Sequence, residues 1–249
     1  MEIPSNVFVF DTPEQLALAA AERFVEYDHA FHGELDRFSV ALAGGNTPRR
    51  VYELLATERF KHRVEWPQVH LFFGDERCVP PDHPDSNYLM AYETLISKVP
   101  IPAKNVHRII GEGKPDESAR LYENQLRAFF AGVSWPRFDL VLLGMGADGH
   151  TASLFPGSGA LKEKSKWVMA TKMEKLKQDR ITLTVPVFNH AAHVVFLVTG
   201  KEKAARLAEV LERRSGRDPL PAQQIQPVKG SLDWLVDKAA AAKLRPSQR

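Results

Sequence analysis

Six short, largely apolar runs constrain this chain more than any other feature: Val7–Phe10, Phe38–Ala43, Val69–Phe73, Phe138–Leu143, Ile181–Val185 and His193–Thr199. A strand with one wet face alternates in polarity, so runs with adjacent apolar residues predict strands covered on both faces, as in a parallel sheet. Between them lie stretches with helical spacing. These are Pro13–Tyr27 behind a Thr12 cap, Pro48–Thr57 with Val51, Leu54 and Leu55 on one face, Ser86–Val99, Asp116–Phe130 and Lys201–Arg213. Strand and helix alternate along the whole length, which predicts an α/β fold with a mostly parallel sheet. No linker-like composition and no internal repeat divides the 249 residues, so one domain over 1–249 is expected, with residues 234–249 as a helix and frayed basic tail.

Composition excludes several function classes. The chain has 33 Lys and Arg against 31 Asp and Glu, a net charge of +2, without the basic excess of a dedicated nucleic-acid binder. Its first residues, Met1–Asn6, lack the basic and apolar regions of a signal peptide. The densest apolar run, Val194–Val198, falls far short of the ~18–20 residues that span a bilayer. The single cysteine, Cys78, forms no internal disulfide and suits a reducing compartment; it reads as a bystander, since nothing around it matches a catalytic thiol. The nine histidines show no HExxH spacing, so no metal site is indicated. A soluble, cytoplasmic protein with no nucleic-acid or membrane partner is expected, as a monomer or weak homodimer.

Three loops follow apolar runs directly. In Ala43-Gly44-Gly45-Asn46-Thr47-Pro48, the glycines let a ligand approach the backbone, and Thr47 as N-cap with Pro48 at N1 would open a helix. Free N–H groups at such a terminus form an anion site, although a plain strand–turn–helix connection fits the same letters. Gly144-Met145-Gly146-Ala147-Asp148-Gly149-His150 contains GxGxxG. The dinucleotide reading fails, because Pro156, Gly157 and Gly159 leave little room for the helix it needs. What is left is a loop at a strand's carboxyl end, with an Asp and a His two residues apart. Gly74-Asp75-Glu76-Arg77 places three charged residues in the third loop. Loops of this kind gathered at one sheet edge predict a site. Leu161–Arg180, with seven basic residues against three acidic, reads as a solvated loop and surface helix or as a rim that attracts an anion.

Together these segments resemble the 6-phosphogluconolactonase family, within the larger glucosamine-6-phosphate isomerase/deaminase group. The matching residues are 41–48 (ALAGGNTP), 73–77 (FGDER), 85–88 (DSNY), 142–156 (LLGMGADGHTASLFP), Arg180-Ile-Thr-Leu-Thr and Val198-Thr-Gly-Lys-Glu-Lys-Ala. The resemblance implies a Rossmann-like fold with helices on both faces of the sheet. It implies hydrolysis of 6-phospho-D-glucono-1,5-lactone, an oxidative pentose phosphate step, with no metal or organic cofactor. It places the phosphate loop on Gly44, Gly45, Asn46 and Thr47, its basic partners on Arg180 and Lys203 (with Lys201 competing), and the catalytic histidine on His150 amid Asp75, Arg77 and Asp148.

That set suits a lactone, which is an activated ester. A neutral imidazole takes a proton from water and returns it to the leaving oxygen, typically worth about 10²–10⁴ in rate. Asp75 or Asp148 would hold its tautomer, and Arg77 or loop N–H groups would stabilise the oxyanion. The deaminase branch of the group is similar but carries a carboxylate where this chain has Ser153-Leu154-Phe155-Pro156, and a tyrosine at the position of Arg77. A non-catalytic sugar-phosphate sensor would keep the anion loop and could dispense with His150 or Asp75.

Overall fold

The computed structural model describes residues 4–31, 37–173, 178–212 and 218–244. In chain order the elements are β1 (Val7–Phe10), α1 (Pro13–Phe31), β2 (Phe38–Leu42), α2 (Asn46–Leu55), α3 (Glu58–Lys61), β3 (Val69–Phe73), β4 (Asp75–Arg77), α4 (Asn87–Thr94), β5 (Val106–His107), α5 (Pro115–Phe129), β6 (Leu140–Gly144), β7 (Val168–Met173), β8 (Gln178–Leu183), α6 (Val185–Asn189), β9 (His193–Val198), α7 (Ala204–Glu212), β10 (Ser231–Asp237) and α8 (Lys238–Ala241).

Seven strands form one parallel sheet in the order β1-β10-β9-β6-β2-β3-β5. All five residues of β2 are buried, as five of the six in β9 are. A strand buried at successive positions is covered on both faces, so the runs of β2 and β9 do what their continuity predicts, whereas β1, at the edge of the sheet, exposes Phe8 and Val9. At the carboxyl ends of β2 and β3, where the ladder stops, two buried tyrosines take over. The Tyr52 hydroxyl bonds the N–H and carbonyl of Ala43 at 3.0 and 2.9 Å. Tyr122 does the same for Phe73 at 2.9 and 3.1 Å. Backbone groups that would otherwise be buried without partners are thereby satisfied.

The structure corrects four expectations. Residues 234–249 do not begin as a helix: Trp234–Asp237 belong to β10, which pairs with both β1 and β9, and only Lys238–Ala241 are α-helical. Residues 245–249, read as the tail, lie outside the described residues. The run Ile181–Val185 is not a strand of the large sheet. It lies mostly in β8, the centre of a separate antiparallel sheet ordered β4-β8-β7. The Lys-rich stretch is mainly the β7–β8 hairpin rather than a surface helix, with residues 174–177 outside the described set. Finally, α2 starts at Asn46 with Gly45 as its N-cap, so Thr47 is inside the helix. Gly45 has φ +102°, which a side chain at that position would resist.

At the β5 edge of the large sheet, His70 on β3 and His107 on β5 bond ring to ring at 3.1 Å, and His107 stacks on Phe72. Burial, then the His70 charge, lowers the His107 pKa from 6.5 to about 4. The folded state thus favours the neutral ring, and the unfolded chain binds more protons between those values. Stability should fall as pH drops from about 6.5 toward 4 and level off below. Thermal melts across pH 7–4 should show a shallower decline in His107→Gln than in the parent; equal slopes would assign the decline to other groups.

Candidate active site

Strand order reverses between β2 and β6: one leads outward through β3 and β5, the other through β9 and β10. Open α/β sheets hold ligands beyond the carboxyl ends of the strands at such a reversal. A cavity of about 330 Å³ lies there, walled by the loops after β2, β6 and β9 and by residues of β4 and β8. The hydroxyls of Thr47 and Thr199 meet at 2.7 Å and tie the first and last of these loops together.

His150 enters this cavity from a tight loop closed by Gly146 N–H to the His150 carbonyl at 2.8 Å and Thr151 Oγ1 to the Gly144 carbonyl at 2.8 Å. Its Nδ1 lies 2.5 Å from Asp148 Oδ1, and its backbone N–H donates to the same oxygen at 3.1 Å. Burial pushes the Asp148 carboxyl up, but the hydrogen bonds and charge of His150 outweigh it and hold its pKa below the usual value. An ionised carboxylate only accepts, so Nδ1 carries the proton and Nε2 is left with a lone pair. The ring lies over Gly146, where a Cβ would fall 2.1 Å from Nδ1, and packs on Phe155 at 4.8 Å. On the far side of Asp148 a second cavity of about 790 Å³ opens between residues 155–160, β7 and Arg206.

The antiparallel pairing of β4 with β8 supplies the charge. Asp75 lies opposite Thr182, and Arg77 opposite Arg180. Alternation puts Asp75 and Arg77 on one face of the small sheet and Glu76 on the other. Arg77 donates to the Asp85 carbonyl and Arg180 to Gln178, yet the Nε of each arginine is buried without a partner. Burial, then the Arg77 charge, lowers the Arg180 pKa. Two adjacent guanidinium groups with no salt bridge among the described residues make the cavity wall a place for an anion. Lys203 lines the same cavity, and Lys201 does not.

Asp75 is buried. Its carboxylate accepts from Ser153 Oγ at 2.6 Å and from Asn87 Nδ2 at 3.2 Å. It forms no hydrogen bond with His150, whose ring bonds Asp148 instead. Glu76 turns away from the cavity and accepts from the N–H groups of Arg77, Asn87 and Tyr88 and from Ser86 Oγ, at 2.7–3.1 Å. Burial raises its pKa against those bonds. It thereby fixes the start of α4 to β4, a role that the letters FGDER do not announce. Cys78 is half-buried, and burial, then Asp179 and Glu76, push its thiol up to about 11. A thiol held protonated is no nucleophile at neutral pH.

Gly44, Gly45, Asn46, Thr47, Asp75, Arg77, His150, Arg180 and Lys203 therefore line one cavity, with Asp148 directly behind His150. Residues 11–234 match the family model described as glucosamine-6-phosphate isomerases/6-phosphogluconolactonase. The chain belongs to this family. It is 44% identical over 211 residues to a 6-phosphogluconolactonase of Synechocystis, covering 84% of this chain and 85% of the relative. It is 42% identical over 238 residues to one of Nostoc, covering 93% and 96%. Among solved structures it is similar to 6-phosphogluconolactonase from Trypanosoma cruzi, with a TM-score of 0.87, 33% identity and 98% of each chain covered. Family membership agrees with the mostly parallel α/β architecture. Among the described residues no helix is long and apolar enough to cross a membrane.

The packing of the imidazole on Gly146 leads to a test. Gly146→Ala puts a methyl group where the ring lies and should displace it, lowering kcat by about 100-fold, the scale of a misplaced catalytic group. Circular dichroism should stay unchanged, because the atoms nearest the added methyl belong to His150 and Asp148 and not to the core. Full activity in this variant would mean that the ring position does not matter.

Proposed function

We propose that this chain hydrolyses 6-phospho-D-glucono-1,5-lactone to 6-phosphogluconate, the second step of the oxidative pentose phosphate route. The observation that carries this is one cavity holding both an Asp148-oriented imidazole and three cations, Arg77, Arg180 and Lys203, that form no salt bridge among the described residues. Its relatives' names support the same reading.

The N–H groups of the Gly44–Thr47 turn, with Arg180 and Lys203, hold the phosphate. That contact is remote from the reacting carbon, so its binding energy positions C1 beside His150. His150 Nε2 takes a proton from water as the water oxygen bonds to C1. The carbonyl electrons move to oxygen, where Arg77 or loop N–H groups stabilise the anion. Collapse breaks the bond from C1 to the ring oxygen, which receives the proton from His150. The product acid then ionises. Asp148 keeps the imidazole in its tautomer and stabilises the imidazolium between the two transfers. Asp75, with two of its acceptor positions committed to Ser153 and Asn87, retains lone pairs for a substrate hydroxyl. Where the deaminase branch carries a second carboxylate this chain has Phe155, packed on the imidazole, so the proton relay of an amino-sugar isomerase lacks a member. Substrate and product are small soluble anions, and the reading fits a cytoplasmic enzyme without macromolecular partners.

A coupled assay on freshly generated lactone tests this. The parent should far outpace buffer, and His150→Ala should lower kcat by about 10²–10⁴. A parent no faster than buffer would refute the activity, and an unimpaired variant the role of His150. Arg180→Ala should raise KM for the phosphorylated lactone far more than for unphosphorylated gluconolactone; equal effects would remove Arg180 from the phosphate site.

A further inference from the structure

The described structure contains five buried side-chain polar atoms without a hydrogen-bond partner, and three of them line this one cavity: Arg77 Nε, Arg180 Nε and Asn87 Oδ1. The two arginine atoms are donors beside a site for an anion. Asn87 Oδ1 is different. It is an acceptor, sealed against the phosphate-loop backbone.

Asn87 is the first residue of α4 and only 3% exposed, and its backbone N–H is held by Glu76 at 2.7 Å. Its Nδ2 donates to both the carbonyl and the Oδ1 of Asp75, at 2.9 and 3.2 Å. Both partners are acceptors, which settles the amide's orientation: NH₂ toward Asp75, oxygen away from it. The oxygen side then rests on Gly44. A Cβ at Gly44 would fall 1.9 Å from Oδ1, 2.6 Å from Cγ and 2.9 Å from Nδ2, so the amide occupies the space that the glycine leaves empty. One planar group thus separates the phosphate loop after β2 from the carboxylate at the start of β4. A buried acceptor without a partner is costly, and such atoms persist where geometry takes precedence over local satisfaction.

We propose that Asn87 is a positioning residue. It is wedged between Gly44 and Asp75, and it sets the spacing between the bound phosphate and the Asp75 carboxylate. The proposal rests on the lactonase reading. It assigns Asn87 no contact with the reacting atoms, and it explains why position 44 tolerates no side chain. The groups that hold the phosphate are left in place when Asn87 changes, so the loss should appear in kcat rather than in KM.

Three variants test this beside the parent, whose own turnover reports separately on the lactonase reading. Asn87→Ala should lower kcat by about 10- to 100-fold, as expected for a displaced active-site group, with KM for the phosphorylated lactone changed less than about threefold. Asn87→Asp keeps the size but sets two carboxylates side by side. It should be impaired at neutral pH and regain activity relative to the parent as pH falls toward 5.5, because one shared proton restores a hydrogen bond. The ratio to the parent cancels any pH dependence that the two proteins share, and a loss arising from general loosening would leave that ratio flat. Gly44→Ala should be impaired, and the double variant Gly44→Ala/Asn87→Ala should be no worse than Asn87→Ala, since the clash and the wedge vanish together. The proposal is overturned if Asn87→Ala keeps parental kcat, if its loss falls on KM alone, if the Asn87→Asp ratio does not move with pH, or if the two alanine substitutions simply multiply.

Discussion

A parallel sheet buried on both faces leaves its chemistry nowhere to go but the ends of its strands. Strands β2 and β9 have almost no exposed side chain, and each of their hydrogen-bonding edges is occupied by a neighbour. Because the strands run in the same direction, the loops that follow β2, β6 and β9 emerge side by side. The reversal of strand order between β2 and β6 then opens a gap between two of them. The anion loop and the histidine loop face each other for this reason, although about a hundred residues separate them in sequence. The buried hydroxyls of Tyr52 and Tyr122 finish the backbone pairing where two strands run out, so these loops leave from fixed points.

The second sheet adds what the first cannot. Two short antiparallel strands place Arg77 against Arg180, and alternation turns Asp75 to the same side. The large sheet thus supplies glycine turns and the imidazole, and the small one supplies charge. Glu76 ties the start of α4 to β4, and Asn87 lies there between Asp75 of β4 and Gly44 of the loop after β2.

How far the letters reveal this depends on what kind of constraint each residue obeys. β2, β3, β6 and β9 are legible because burial on both faces leaves a largely apolar run. β10 is not: Ser231, Asp233 and Asp237 interrupt it, so its last four residues read as the start of a helix although it pairs on both sides. β4 and the first half of β8 carry the site's own charges, which erase the strand pattern there and leave only the apolar end of β8 to read as a strand, and the Lys-rich hairpin reads as surface for the same reason. The glycine loops and His150 are legible because close approach and proton transfer demand particular residue types. The bracing is not. Ser153, Glu76 and Asn87 act through hydrogen bonds to residues 10–78 positions away, and nothing local marks them.

The gathering of Arg77, Arg180 and Lys203 in one crevice also matters to the stability of the empty protein. Like charges held together repel, and two of these side chains keep a buried N–H unsatisfied. On the proposed function an entering anion would relieve both, which would make it a folding ligand as well as an occupant. Linkage sets the size of the effect at about 2.7 kcal/mol when the anion is present at a hundred times its dissociation constant. Ordinary phosphate buffer would then protect this protein against heat while competing with its substrate.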